Sequence, residues 1–531
     1  MSEQKPGGDS THLDDAAQLA ALGYTSEFKR EMGLWDNVAV GFTYLSPIVG
    51  VYTLFSASLA MAGPPMIWAF LIVAVGQFLV ALVFGEIVSQ YPVVGGVYPW
   101  SRRLWGRRWA WMTGWIYMFA LFSSIGGIAA GASPFISSLF GHAYSVNYMV
   151  VSALGLLAVS TIINVGGTKV LSVAVMAGFI TGLVGAIGVG SWLLIKGSHD
   201  FSVVFKSLGA ADGKVYFYAF AAAGLVAVFQ YYGFEACGDL AEEIPNPGVQ
   251  VPKAMRMTIY IGGFAATFTA FTMIMAVVPN ISKVIATSGE CIETLPDGAT
   301  CVEGALDPVS YTIHQSFGAA DKFVLLIVVI AFLSCLISLQ AAASRLVYSY
   351  SRDQMIMGHR VLRLFWQARH IPPFALVVAA AVPALVIVVV SRLSEDAVWK
   401  AVGFAAIGIY LGFQSVVLAA LRARLKGWQP SGKFRLGKWG LAVNIGALTW
   451  GVCGVLAIVW PWDLGTGKPW YDVWIVLLSA VLVIGLGLVY MFTARPYQHS
   501  DTPAGDAIPQ REGATKNLES TADATEDSSQ E

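Results

Sequence analysis

Apolar residues along this chain gather into long blocks, separated by short polar or charged stretches. Twelve blocks stand out, at about 37–61, 66–89, 109–139, 147–164, 169–195, 216–238, 255–278, 323–350, 374–391, 397–421, 439–460 and 470–493. A hydrocarbon core of about 30 Å is crossed by roughly 20 apolar residues in a helix, so each block predicts one span. The expectation is an all-α polytopic membrane protein with 12 transmembrane helices filling residues 34–493. Residues 1–33 are polar and charged, with no apolar run of the kind a signal peptide needs. Residues 494–531 are rich in Ser, Thr, Asp, Glu and Gly, and are predicted to form a disordered tail because they bury too little to offset ordering entropy.

Composition agrees: 56% of the 531 residues are hydrophobic and only 12% charged, where a soluble domain carries about a quarter. The net charge of −1 points to no nucleic-acid partner. Its distribution is more telling. An even number of spans puts both termini on one side, and 24 of the 32 lysines and arginines fall on that side. Basic loops stay in the cytoplasm, so both termini are expected there, with the chain in the plasma membrane. Cys237, Cys335 and Cys453 lie in predicted spans, where small apolar packing explains them. Cys291 and Cys301 flank ETLPDGAT in the loop 280–320, which this topology places outside. There they are expected to close a disulfide, with two free thiols as the alternative.

Two spans are interrupted. Span 1 contains SPIVG, where Pro47 cannot donate a hydrogen bond and crowds the preceding turn. Gly50 follows and lowers the helical preference again. Span 6 contains VFQYYGFEACGDLAEEIPNP, with Gly233 and Glu235 at its middle. Irregular backbone at membrane depth is tolerated only where it lines a protein-enclosed cavity. Interrupted helices at matching places in two halves of a transporter mark its central site, and spans 1 and 6 are five apart. Glycine and proline that merely kink or pack a helix are the simpler reading of either break alone.

At these residues the chain resembles the amino acid–polyamine–organocation (APC) permeases, in the branch carrying amino acids, GABA and choline-like amines. The resemblance runs over about 17–495 and rests on AALGYTSEFKREMGLWDN, SPIVG, YPVVGGVYPWSRRLWG, YGFEACGDLAEEIPNPGVQVPKA and ASRLVYSYSRDQMI, in that order. It implies the LeuT-type fold, a 5+5 inverted repeat (37–195 and 216–421) plus two extra helices (439–493).

Unwinding near Ser46 exposes backbone amides at a half-helix N-terminus, which attract a carboxylate. The matching family segment binds the substrate carboxylate, so Ile48, Val49 and Gly50 are expected to serve by main chain. Released carbonyls near Phe229 and Gln230 can receive an ammonium. Phe229, Tyr231, Tyr232 and Phe234 offer ring faces to the same cation, and helical geometry lets only one or two of them face a cavity beside Gly233. Glu235 is an ionisable group in a membrane helix and so a candidate for gating or coupling, against the plainer reading of a neutral structural acid. Asp239, Glu242 and Glu243 lie nearer the cytoplasmic end, solvated or paired with Arg102, Arg103 or Arg345. Glu86 is expected to anchor the loop after span 2. Ser334, Ser338 and Ser344 of span 8 offer hydroxyls that can ligate Na⁺ with span 1 carbonyls, against the plainer reading, favoured for at least two of them, of bonds back to their own helix; Ser338 is the coupling candidate.

Proton-coupled relatives carry a lysine deep in span 5. The matching place here falls near Thr181–Gly182 and holds none, which leaves Na⁺, a proton on Glu235, or exchange as the coupling. No cofactor is expected. All seven histidines fall in tails or loops and no H-E-x-x-H spacing occurs, against a metal site or a membrane enzyme. A broken-helix pair also suits an occluded site better than a channel. The expected function is a secondary transporter importing an amino acid, GABA, choline, ethanolamine or polyamine, with a nutrient sensor lacking net transport as the alternative.

Overall fold

The computed structural model describes residues 8–25, 27–142, 145–197, 199–211, 215–277, 281–286, 308–393, 397–460 and 469–508. Cys291 and Cys301 lie outside them. Among the described residues eleven helices are long and apolar enough to cross a membrane, and the remaining expected span, the sixth, is the shorter apolar stretch Tyr216–Gln230. It falls short because it breaks before completing the crossing.

The packing carries an internal symmetry. Span 3 (Arg107–Gly131) packs along span 10 (Ala397–Leu425), and its counterpart five spans on, span 8 (Asp321–Arg352), packs along span 5 (Thr168–Lys196). The first half of span 1 (Leu34–Leu45) rests on span 7 (Pro247–Ala276), as the first part of span 6 rests on span 2 (Ile67–Gln90). Exchanging each span for the one five away in the other half (1 with 6, 2 with 7, 3 with 8, 5 with 10) thus maps neighbours onto neighbours, as an inverted repeat requires. Spans 11 (Gly440–Val459) and 12 (Ile475–Ala494) attach at the edge, against spans 2, 3 and 10.

Burial separates centre from rim: 94% of span 1 is buried in the protein against 17% of span 12. Spans 4 (Val146–Val165) and 5 turn Val151, Ile162, Ile180 and Val184 outward, which in a bilayer meet acyl chains. Inside, polar side chains fasten helices together. Ser160 donates to Gln340 Oε1 at 2.8 Å, and Asn164 Nδ2 reaches the Ile337 carbonyl at 3.2 Å, tying span 4 to span 8. Such interhelical bonds contribute about 0.6–2 kcal/mol each.

Two expectations change here. Glu86 does not hold the loop that follows it. It pairs with Arg424 at the end of span 10 and accepts the Leu436 amide at 2.8 Å, so it anchors the loop between spans 10 and 11. Nor does order stop at residue 494. Asp506 pairs with Arg103 at 2.6 Å, and the amides of Gly505 and Ala507 donate to the carbonyls of Arg102 and Arg103. Composition fails on this segment because its few apolar residues, Tyr497, Ala507 and Ile508, join a core built by the spans, and its polar groups find the buried Arg102 and Arg103.

Candidate functional site

The first half of span 1 ends at Ser46, whose backbone sits at φ 39°, ψ 96°, and the second half, Val49–Ala62, begins after Pro47 and Ile48. Proline bars the preceding residue from the helical region and supplies no amide to continue the ladder. The unwound stretch is therefore narrower than Ser46–Gly50: Val49 and Gly50 already form the first turn of the new helix. The start of that turn lies at the break, where the helix dipole favours an anion; the Gly50 amide donates to the Ser46 carbonyl at 3.5 Å.

Span 6 consists of Tyr216–Ala223 and Leu225–Gln230, then irregular backbone through Tyr231–Glu235, then the short turn Ala236–Asp239. Gly233 sits at φ +114°, a region side chains rarely adopt. Its amide, which would have closed a turn onto the Phe229 carbonyl, donates instead to Glu235 Oε2 at 2.7 Å. The Phe229 carbonyl is so deprived of its helical partner. A Cβ on residue 233 would lie 2.7 Å from the Leu45 nitrogen and 3.2 Å from the Tyr44 carbonyl carbon. The two breaks thus touch, backbone to backbone.

Ser46, Ile48, Val49, Gly50, Phe229, Gln230, Tyr232, Gly233, Glu235 and Ser338 are all buried, and most converge here. Gln230 Nε2 donates to the carbonyls of Leu45 (2.8 Å) and Ser46 (3.1 Å), bridging break to break. Tyr232 meets Tyr44 and Phe229 edge-on, with ring centroids 5.8 and 5.1 Å apart. Glu235 Oε1 accepts from Tyr117 of span 3 at 3.2 Å. No basic side chain pairs with Glu235 or Asp239 among the described residues, although both are fully buried.

Other expected residues point elsewhere. Tyr231 donates to the Gly263 carbonyl at 3.1 Å and lies against Phe70, on the side of spans 7 and 2. Phe234 packs on Phe84 and Phe413. Ser334 and Ser344 bond back to the carbonyls of Ile330 and Ala341, whereas Ser338 meets Thr43 of span 1 at 2.6 Å between hydroxyl oxygens. The place on span 5 facing Ser334 and Thr43 is Gly178, not Thr181–Gly182. It carries no lysine either.

Between the ends of spans 2, 6 and 8, ion pairs join the elements. Arg345 pairs with Glu243 at 2.9 Å, and Thr168 donates to the same carboxylate at 2.6 Å. Arg352 takes both oxygens of Glu242 at 3.0 and 3.1 Å, while Glu242 also accepts the Val94 amide at 3.0 Å. Arg102 pairs with Asp353 and donates to Tyr24, whose hydroxyl also bonds Asp353. Arg345 is the expected partner of Glu243; the residues bound by Arg102 and Arg103 are Asp353 and Asp506 instead. Burial, aided by Asp353, pushes the Tyr24 hydroxyl up to about 12, so it stays a donor at physiological pH. Arg30 reaches the Ile244 carbonyl at 2.7 Å, joining the segment before span 1 to the same cluster.

By residue type alone, Tyr44, Tyr117, Thr43 and the ion-pair residues Tyr24, Arg352 and Asp353 carry no sequence signal that singles them out. Tyr44 lies two residues before the break and could have been found by its place. Tyr117 carries no local signal in a span full of aromatics.

Comparison with known proteins follows the same line. The profile of the amino acid permease family matches residues 44–500. The chain is 25% identical over 479 residues to the amino-acid permease BAT1 homolog of Oryza sativa subsp. japonica, covering 85% of this chain and 87% of that one. It is 24% identical over 514 residues to amino-acid permease 2 of Neurospora crassa, covering 91% and 88%. A solved manganese transporter of Eremococcus coleocola shares the fold, with TM-score 0.55 and 12% identity over 94% of this chain and 98% of that one. The chain belongs to the amino acid permease family.

Proposed function

We propose that this protein is a secondary active transporter that imports an amino acid or small amine across the plasma membrane by alternating access, with both termini in the cytoplasm. The observation that carries this reading is the meeting of two broken helices, spans 1 and 6, at the buried centre of the fold. Broken helices place unsatisfied amides and carbonyls where a zwitterion needs them. The carboxylate is held by the amides of Ile48, Val49 and Gly50. The ammonium is held by the carbonyls of Leu45 and Ser46, with that of Phe229 and the rings of Phe229 and Tyr232 beside it. The relatives' names, amino-acid permeases, favour an amino acid among the amines considered.

Glu235 is the coupling group in this reading. It is buried, bonds the Gly233 amide at the break, and pairs with no cation among the described residues; a proton removes the cost of an uncompensated charge there. Thr43 and Ser338 already satisfy each other, which leaves a Na⁺ site between them less prepared. The ion pairs around Glu242, Glu243 and Asp353 act as the cytoplasmic gate, shut in this structure. Purified protein in proteoliposomes should accumulate a labelled amino acid when a pH gradient is imposed, and not when only a Na⁺ gradient is. Binding without any uptake would favour a sensor, and uptake driven only by Na⁺ would remove Glu235 from the mechanism.

A further inference from the structure

The seat between the breaks is already occupied, by a side chain of the protein itself. Gln230 ends the helical part of span 6 and is fully buried. Its Nε2 donates to the Leu45 carbonyl, which the break in span 1 releases, and to the Ser46 carbonyl, which also accepts the Gly50 amide at 3.5 Å. Its Oε1 is buried without a partner among the described residues and lies over Gly50, where a Cβ would collide with it. The reverse orientation of the amide would set oxygen against two carbonyl oxygens, so the partners settle which end is which. The carboxamide therefore presents N–H toward the carbonyls and a bare oxygen toward the first turn of the second half-helix. An α-amino acid carries the same pair of functions, donor and acceptor, held close together and in charged form.

We propose that Gln230 is an intramolecular stand-in for the ligand. It fills the seat in the empty protein and swings out when the ammonium of an α-amino acid takes over the Leu45 and Ser46 carbonyls. The inference rests on the transporter reading and narrows its substrate class. Charge-assisted hydrogen bonds are stronger than those of a neutral amide, so a zwitterion can displace the carboxamide. A simple carboxylate, with nothing to offer the carbonyls, cannot. GABA, whose charges lie far apart, fits the compact arrangement less well. Because the ligand must compete with Gln230, the apparent affinity is lowered by the fraction of time the seat is open. Gly50 is then small to make room for Gln230, not only for ligand.

The test is binding by full-length purified protein, wild type against Gln230→Ala and Gln230→Met. L-alanine, L-leucine, L-glutamate and L-arginine serve as probes, with GABA and propionate as comparators. Met keeps most of the volume but cannot donate, which controls for a cavity left by Ala. Both variants should bind the preferred α-amino acid about tenfold more tightly than wild type. Without ligand they should melt below wild type, because the bridge between spans 1 and 6 is gone, and saturating ligand should narrow that gap. Binding seen only in the variants would also support the stand-in. Unchanged or weaker binding in both variants, with wild-type binding intact, would overturn the stand-in while sparing the transporter. Preference for GABA or propionate over every α-amino acid would overturn the substrate class. Failure of all three proteins to bind any probe would overturn this inference, and uptake of a small amine such as choline or ethanolamine would then still carry the transporter reading.

Discussion

Replacing Gly233 by alanine adds one methyl group at the point where the two broken spans touch. The residue sits at φ +114°, and the new Cβ would lie 2.7 Å from the Leu45 nitrogen and 3.1 Å from its Cα. Both neighbours are backbone, so relief requires span 1 to move away from span 6. Strained backbone costs about 1–3 kcal/mol and overpacking about 1–3 more, roughly 2–6 kcal/mol together. The comparison is Gly50→Ala, whose Cβ meets the far end of the flexible Gln230 side chain instead of backbone; it should cost no more than the loss of the Gln230 bridge to the Leu45 and Ser46 carbonyls. Thermal unfolding of the detergent-purified variants, followed by uptake in proteoliposomes, measures both. Gly233→Ala should unfold well below wild type and lose uptake, while Gly50→Ala should unfold between the two. Wild-type unfolding and uptake in Gly233→Ala would refute the contact between the breaks.

Glu235→Gln keeps the shape but cannot carry a proton, so pH-driven accumulation should vanish while exchange of labelled for unlabelled substrate persists; accumulation that survives the change would dismiss Glu235 as coupling group. Arg345→Met strands the buried Glu243 carboxylate, and breaking such a pair costs about 3–5 kcal/mol. Arg345→Met combined with Glu243→Leu should recover much of that stability yet leave the gate leaky, seen as faster substrate efflux from loaded vesicles. Mass mapping of unreduced protein should find Cys291 joined to Cys301, and recovery of both as free thiols would contradict the expected linkage.

Most of the fold was legible because a bilayer simplifies the problem: length and apolarity nearly suffice to mark a span. Pro47 and Gly233 announced the two breaks for similarly local reasons, since each disrupts the helical ladder wherever it stands. What could not be read was direction. Tyr231 and Tyr232 are adjacent and chemically alike, yet one packs toward Gly263 and the other meets Tyr44 across the break. Only the rotation of span 6 about its axis distinguishes them, and tertiary packing sets that rotation. Gln230 was valued for its carbonyl, while its side chain proved to be the bridge. The gate partners escaped for another reason. Arg352 with Glu242 and Arg102 with Asp353 join residues about 110 and 250 positions apart, and charge alone does not say which acid meets which base.

The central claim is that substrate sits between the breaks of spans 1 and 6. A structure determined by electron cryo-microscopy with a transported amino acid at saturating concentration tests it most directly. Ligand density should lie between Ser46–Gly50 and Phe229–Gly233, carboxylate toward the amides of Ile48–Gly50 and ammonium toward the Leu45 and Ser46 carbonyls, with the Gln230 side chain displaced. Density for the ligand at any other place, with Gln230 still bonded to Leu45 and Ser46, would contradict it.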